Sequence, residues 1–386
     1  MSYSLYIHIP YCQSKCPYCD FNSYAAASWP EADYTSALIT ELEHRVGAAA
    51  FAAHRIKTIF FGGGTPSLFA PASIGKIIDA AERISGIERR AEITLESNPG
   101  TVDAAKLIGM RAAGVNRVSF GAQSFKESTL KFLGRLHSAD DTRAAARLAH
   151  RAGFEHLNLD LIFAVPGQTV ADVSSDIAEA AALEPDHISA YNLTFEEGTA
   201  FFTDMKRGRI HPLKSDEQAA MYAAVREELP RRGYAMYEIS NYARPGCEAR
   251  HNLTYWRSET YLGIGAGAHS YARDAAGAGA GGRRWWNERT PARYIEHALA
   301  GGIAEAGFET IDEATAASEF VFLNLRLRAG FALEDFRARF GRDFEDVFGA
   351  QAAPLVEGGL LIRERGRILL SDRGLELADS VFAEFV

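Results

Sequence analysis

Tyr6-Ile-His-Ile-Pro-Tyr-Cys12-Gln-Ser-Lys-Cys16-Pro-Tyr-Cys19-Asp-Phe21 sets three cysteines in a C-x3-C-x2-C spacing, directly after an apolar run of strand length, Leu5 to Ile9. A loop of this kind can lay three thiolates over one face of an iron-sulfur cube and leave the fourth iron without a local protein ligand. The one remaining cysteine, Cys247, lies more than half the chain away. An open iron with an exchangeable ligand is what a cluster needs in order to bind and reduce a substrate. The same spacing has two competing readings: a three-cysteine zinc site closed by a nearby His8, and three core cysteines without a metal.

Outward from the loop the chain alternates. Strand signals at 5–9, 57–61, 91–96, 116–121, 157–163 and 187–193 are separated by helical stretches at about 32–53, 70–85, 103–113, 140–152 and 169–183. That is the pattern of parallel β/α units. Polar or glycine residues follow the strand ends, which in a complete or partial barrel face one common site. Gly62-Gly63-Gly64-Thr65-Pro66 follows the second strand, Glu96 closes the third, Gln123 closes the fourth, Asp160 sits in the fifth, and Arg135 lies in the fourth βα connection. The glycine run is neither a P-loop nor a dinucleotide fingerprint, but glycine at a strand end lets backbone approach a ligand closely.

Composition bounds the function. The 386 residues are 47% hydrophobic and 24% charged, those of an ordinary globular protein with room for one large domain and a smaller one. A net charge of -9 argues against a general nucleic-acid partner. Four cysteines, three of them in one motif, suit a reducing compartment, so a cytoplasmic location is expected. There is no signal-peptide pattern and no apolar run of membrane-span length, which leaves at most peripheral membrane contact.

C-x3-C-x2-C after a first apolar strand resembles the radical S-adenosylmethionine (SAM) superfamily. Within it, Tyr6-x-His8-x-Pro10-Tyr11-Cys12 and Cys16-Pro17-Tyr18-Cys19-Asp20-Phe21 are similar to the coproporphyrinogen dehydrogenase group, and more closely to its HemW branch of haem chaperones. The resemblance implies an α/β fold: a radical SAM partial (β/α)6 barrel followed by a smaller C-terminal α+β domain. It implies a [4Fe-4S] cluster on Cys12, Cys16 and Cys19, with SAM on the open iron. The positions matching the family's SAM contacts are Tyr6, Gly63, Gly64, Thr65, Glu96, Gln123, Arg135, Asp160 and Thr194.

A second stretch carries chemistry. In His251-Asn252-Leu253-Thr254-Tyr255-Trp256 the imidazole and the phenol are four residues apart, so in a helical turn they share a face where an imidazole can ligate iron and rings can pack on a flat ligand. A structural polar-aromatic turn is the plainer reading. The resemblance makes His251, Asn252, Tyr255 and Trp256 a haem-binding motif, with His251 as axial ligand. Cys247 is an alternative thiolate ligand or simply a free cysteine. Gly263 to Ser270 is glycine-rich and packs against the barrel or its ligand, with His269 structural, and 275–282 reads as a low-complexity surface excursion. Arg283-Arg284-Trp285-Trp286 is a basic-aromatic patch that suits a propionate or a partner, or else a returning strand.

The expected division is a barrel over 1–240, a haem-motif and connecting region over 241–309, and a winged-helix-like domain over 310–386. DNA binding by that last part is excluded by charge, because 331–386 holds 7 Arg and no Lys against 11 Asp plus Glu. Three functions follow: a haem chaperone passing haem to an acceptor haemoprotein, such as a respiratory cytochrome or a haem-storage protein; an oxygen-independent coproporphyrinogen III oxidase; or a radical SAM methyltransferase or haem-opening enzyme. The oxidase resembles C-x3-C-x2-C-x-C, whereas Phe21 stands at the fourth position here, and the chain starts almost on its first strand without the oxidase's extension. Both departures, with the His-Asn-x-x-Tyr-Trp motif, favour the chaperone and leave enzymatic activity uncertain.

Overall fold

Alternate residues of the central strands differ in character. Along β1 (Ser2–Ile9), Tyr3, Leu5, Ile7 and Ile9 are fully buried on one face, while Ser4, Tyr6 and His8 turn to the other. The pattern repeats along β2 (Arg55–Gly63), β3 (Ile87–Ser97), β4 (Arg117–Gln123), β5 (His156–Phe163) and β6 (His187–Asn192). Ile59, Leu95, Val118, Leu159 and Ile188 face outward, and Thr58, Thr94, Ser119, Asn158 and Ser189 face inward. The outer face is therefore the one that helices must cover.

They do so in chain order: α1 (Glu31–Val46), α2 (Pro71–Ser85), α3 (Ala104–Ala112), α4 (Ala139–Ala152), α5 (Val170–Ala182) and α6 (Ser215–Arg231). Leu38, Leu42, Ile74 and Ile77 pack with the outer residues of β1 to β3, and Ala145, Ala146, Ala149 and Ile177 with those of β4 to β6. Each fully buried Leu or Ile contributes about 1.5–3 kcal/mol. Reciprocal capping boxes, Ser138 with Asp141 and Thr169 with Asp172, start α4 and α5.

The computed structural model describes residues 2–47, 51–52, 54–274 and 280–386; the end of the first expected helix at 48–50 and 53, and most of the low-complexity run, 275–279, lie outside the described residues. The six strands expected from the sequence are parallel neighbours in chain order. They make up half of a 12-stranded sheet. On the far side of β1 lies β9 (Tyr261–Ile264), also parallel, and then β10 (His269–Arg273), β11 (Gly282–Asn287) and β12 (Glu305–Ile311) in antiparallel order. The opposite end is closed by β7 (Ala235–Glu238) and β8 (Asn241–Ala243), which pair antiparallel, with β8 against β6. The basic-aromatic patch is β11, the returning strand.

Residues beyond β12 supply most of a further core around Phe320, Phe331, Phe336 and Phe344, to which Tyr271 of β10 also belongs. Helices Glu313–Leu325, Leu333–Phe340 and Phe344–Glu357 precede a hairpin of Leu361–Glu364 and Arg367–Leu370. Its turn has Arg365 at φ 50 and Gly366 at φ 72, the two left-handed residues of a tight hairpin. Among the described residues no helix is long and apolar enough to cross a membrane.

Candidate functional site

The cysteine loop is fastened to the turn after β2. Gly64 N donates to Ile9 O and Thr65 N to Tyr11 O, both at 2.8 Å. A Cβ on Gly64 would lie 2.6 Å from Tyr11 O, and one on Gly63, at φ 111, would lie 2.5 Å from the His8 ring. Only glycine permits this approach, which explains the Gly-Gly-Thr wording. Within the loop, Lys15 Nζ donates to Phe21 O and Ser23 O at 3.1 Å, and Cys19 N donates to Cys16 O at 3.1 Å.

Cys12, Cys16 and Cys19 are half-buried and line one cleft of about 400 Å³. Thr65 Oγ1 donates to Cys12 Sγ at 3.5 Å, and Arg135 Nη1 donates to Cys16 Sγ at 3.4 Å. Burial pushes the Cys12 and Cys19 thiols up, and at Cys12 the Thr65 hydroxyl opposes that desolvation. Among the described residues the ligand atoms that lie mutually within 4.8 Å belong to His156, Asp186 and Cys247, not to the loop. The loop sulfurs are thus spread wider than the about 3.8 Å expected between thiolates on one tetrahedral zinc. Three spread thiols facing one cleft, with a buried cation beside them, fit a cluster better than a single ion.

The strand ends complete this cleft. Gly63, Gly64, Thr65, Glu96, Gln123, Arg135, Asp160 and Thr194 all line it, and Tyr6 faces the neighbouring cleft instead. Glu96 accepts from Gly63 N at 3.2 Å, and burial, reinforced by the Asp160 charge, pushes its carboxyl up to about 8. Asp160 is also raised by burial, against hydrogen bonds from Ser119 at 3.0 Å and Asn158 at 2.7 Å. Two carboxylates in a low-dielectric floor favour a cationic ligand. Gln123 sits at φ 65, a left-handed conformation costing about 1–3 kcal/mol for a non-glycine residue, at the irregular end of β4. Gln123 lines the cleft from this position. Ser119, Asn98 and Tyr191 also line the cleft and were missed. The signal that would have found Ser119 and Tyr191 is the period-two alternation of polar residues along otherwise buried strands.

A second cleft of about 690 Å³ shares Phe21, Gly63 and Glu96 with the first, so the two adjoin. Its walls include Tyr6, Phe60, Tyr255, Tyr261, His269 and Trp286. The motif helix α7 (Arg250–Trp256) lies against β2 and β3, where Glu92 accepts from Arg250 N at 3.1 Å and His251 N at 3.0 Å. Its four candidate residues diverge. His251 is 1% exposed; its Nδ1 is 2.8 Å from Thr58 Oγ1, its Nε2 is 2.9 Å from Tyr255 Oη, and its ring stacks on Phe60. Burial pushes the imidazole down to about 3, so it is neutral. Asn252 faces a smaller polar cavity of about 150 Å³ beneath. Trp256 stacks under Arg326, 4.3 Å from its ring. Of the four, Tyr255 alone reaches the large cleft.

Cys247 lines neither cleft. Its Sγ is 4.0 Å from Asp186 Oδ1, near His156 at the start of β5 and thus at the opposite end of the strands. This removes it as an alternative haem ligand. His269, expected to be structural, is instead exposed and stacks on Trp286 with ring centroids 5.8 Å apart.

Comparison with known proteins agrees with this geometry. Residues 6–180 match the model of the radical SAM superfamily, and 311–377 match that of the HemN C-terminal domain. The chain is 37% identical to the heme chaperone HemW of Bacillus subtilis over 99% of both chains. It is 43% identical to that of Escherichia coli over 69% of both. It is also 31% identical to the bovine mitochondrial radical S-adenosyl methionine domain-containing protein 1, over 98% of this chain and 86% of the relative. Among solved structures, coproporphyrinogen III oxidase (HemN) from E. coli superposes over 100% of this chain and 90% of its own, with a TM-score of 0.84 at 23% identity. That likeness concerns the fold.

Proposed function

Because the chain belongs to the HemW family of the radical SAM superfamily, we propose that it is a haem chaperone, holding haem beside an iron-sulfur and SAM centre and releasing it to an acceptor haemoprotein. The observation that carries the reading is the aromatic cleft of about 690 Å³, which adjoins the cysteine cleft and is large enough for a cofactor-sized flat ligand.

Membership of the superfamily implies an iron-sulfur and SAM cofactor system. On this reading Cys12, Cys16 and Cys19 hold a [4Fe-4S] cluster, and Arg135 offsets thiolate charge at Cys16. When bound, the cluster supplies electrons to SAM at its open iron. Gly63, Gly64 and Thr65 offer backbone to the methionine end of SAM, Glu96 and Asp160 attract its positive charge, and Tyr6, Gln123 and Thr194 complete the contacts. Haem lies across the second cleft, where Tyr255 supplies the wall and His251, Asn252 and Trp256, the rest of the proposed haem motif, stand behind it. For His251 itself to ligate iron, its contact with Tyr255 must open.

The same reading divides the chain into a barrel over 1–240, a haem-motif region over 241–309 and a covering domain over 310–386. It gives a cytoplasmic protein whose acceptor is a respiratory cytochrome or a haem-storage protein. The test is an anaerobic titration of cluster-reconstituted protein with ferric protoporphyrin IX, with coproporphyrinogen turnover assayed on the same sample. Stoichiometric haem binding without turnover is expected. Turnover, or no saturable haem binding, overturns the reading in favour of the oxidase or another radical SAM activity.

A further inference from the structure

The large cleft has three histidines in or behind its wall, and two of them are closed as ligands. His8 is buried, with Nδ1 2.8 Å from Tyr6 Oη and Nε2 2.9 Å from Asn22 O. His251 has both ring nitrogens held by Thr58 and Tyr255, and no open side towards the cleft. His269 differs. It is the first residue of β10, it lines the cleft, and its exposed ring makes no hydrogen bond among the described residues.

We propose that His269 is the side chain that ligates haem iron in this cleft, with Trp286 fixing its ring and Arg289 meeting a propionate; this rests on the haem reading above. The Trp286 indole stacks on the imidazole at an interplanar angle of 29°, which restricts the ring without using either nitrogen. The strand that carries it is short but anchored, because the turn before it is drawn against the cysteine loop. Gly267 packs so tightly that a Cβ would lie 2.4 Å from the Asn22 side chain, whose Nδ2 donates to Ala266 O at 2.9 Å. Asn22 Nδ2 also donates to Arg289 O at 2.9 Å, so the cluster loop sets the positions of both His269 and Arg289.

The surrounding charge suits a neutral imidazole and an acidic ligand. Burial, then Arg284 and Arg289, push His269 down from its ordinary value, leaving the free base that coordinates iron. Arg284 is committed to Glu309 and Glu319, but no carboxylate lies within 4.0 Å of Arg289 among the described residues. A propionate would fill that place with a charge-assisted hydrogen bond. His251 is then a positioning residue that holds Tyr255 and Phe60 as cleft wall.

The experiment titrates ferric protoporphyrin IX into the full, cluster-reconstituted chain and records haem absorption, electron paramagnetic resonance and resonance Raman spectra. Wild type, His269→Ala, His269→Cys and His251→Ala are compared, with free imidazole added back to the alanine variants. The wild type should show an imidazole-ligated haem. His269→Ala should lose that signature and bind at least tenfold more weakly, imidazole should restore it, and His269→Cys should replace it with a thiolate signature. His251→Ala should keep the imidazole signature even if binding weakens. Retention of the wild-type spectrum in both His269 variants, or its loss and imidazole rescue in His251→Ala alone, overturns the assignment while leaving haem binding intact. Failure of the wild type to bind ferric protoporphyrin IX at all refutes the haem reading itself.

Discussion

Removing Glu92 should cost more than any other single carboxylate near the helix that carries His251, and its effect can be worked from its contacts. Glu92 is 5% exposed and lies on β3 with Oε2 3.2 Å from Nε of Arg117, itself 2% exposed. Its two oxygens also accept from the first N–H groups of α7, Arg250 at 3.1 Å and His251 at 3.0 Å. Glu92→Ala therefore strands a buried guanidinium and uncaps a helix of 7 residues that cannot hold itself by propensity. Breaking a buried pair costs about 3–5 kcal/mol and losing a cap about 0.5–2 kcal/mol. One carboxylate serves both, so the terms overlap and the expected loss is about 4 kcal/mol.

Glu92→Gln keeps one of the two acceptors for the helix and should cost about half as much. Combining Glu92→Ala with Arg117→Met should cost less than the sum of the single changes, by about 1 kcal/mol or more. Urea unfolding monitored by circular dichroism measures all five proteins: wild type, the three single variants and the double variant. A Glu92→Ala loss below about 1 kcal/mol, or strict additivity in the cycle, would refute the claim that this carboxylate is the anchor of α7.

Gly64→Ala should prevent assembly at the cysteine loop, because its methyl group would meet Tyr11 O at 2.6 Å; iron and sulfide per chain after reconstitution should fall several-fold while circular dichroism stays near wild type. SAM affinity should depend on pH through Glu96, whose carboxyl is pushed up to about 8. A cationic ligand needs the ionised form, so affinity should rise up to about tenfold per pH unit below 8 and level above it, and Glu96→Gln should flatten the profile in calorimetric titrations. The same raised value means that the folded chain keeps a proton that the unfolded chain has lost, so stability should fall as pH rises from 4.5 to 8, and Glu96→Gln should remove that slope in urea titrations. Glu41→Ala should destabilise by about 3 kcal/mol in urea, because three donors lose their acceptor together. These are Gly265 N at 3.0 Å, Asn287 Nδ2 at 2.7 Å and Tyr294 Oη at 2.8 Å.

The parts legible in the sequence are those whose physics is local. Three cysteines within eight residues, a glycine turn that admits no Cβ, and strands alternating with capped helices each declare themselves within a short window. The six parallel strands and the residues at their ends were legible for that reason. What was not legible depends on distant partners. Nothing near Tyr261 says that β9 lies beside β1, since that pairing joins Tyr6 with Gly263 across most of the chain. The inward polar residue Ser119 was passed over because the alternation that exposes it is short and ends at the irregularity of β4.

The sequence by itself determined the superfamily and the barrel type and brought three cysteines into one loop, because these follow from residue chemistry at fixed spacing. Only the tertiary structure decided which histidine is available. An i, i+4 pairing put His251 and Tyr255 on one helical face, and that was correct, but the face is turned inward: Thr58 and Tyr255 take both ring nitrogens of His251. His269 gave no signal among its glycines, yet β10 delivers it to the cleft with its ring exposed. Burial and hydrogen-bond satisfaction are properties of packing between segments, and no local pattern encodes which side of a helix the rest of the chain will cover.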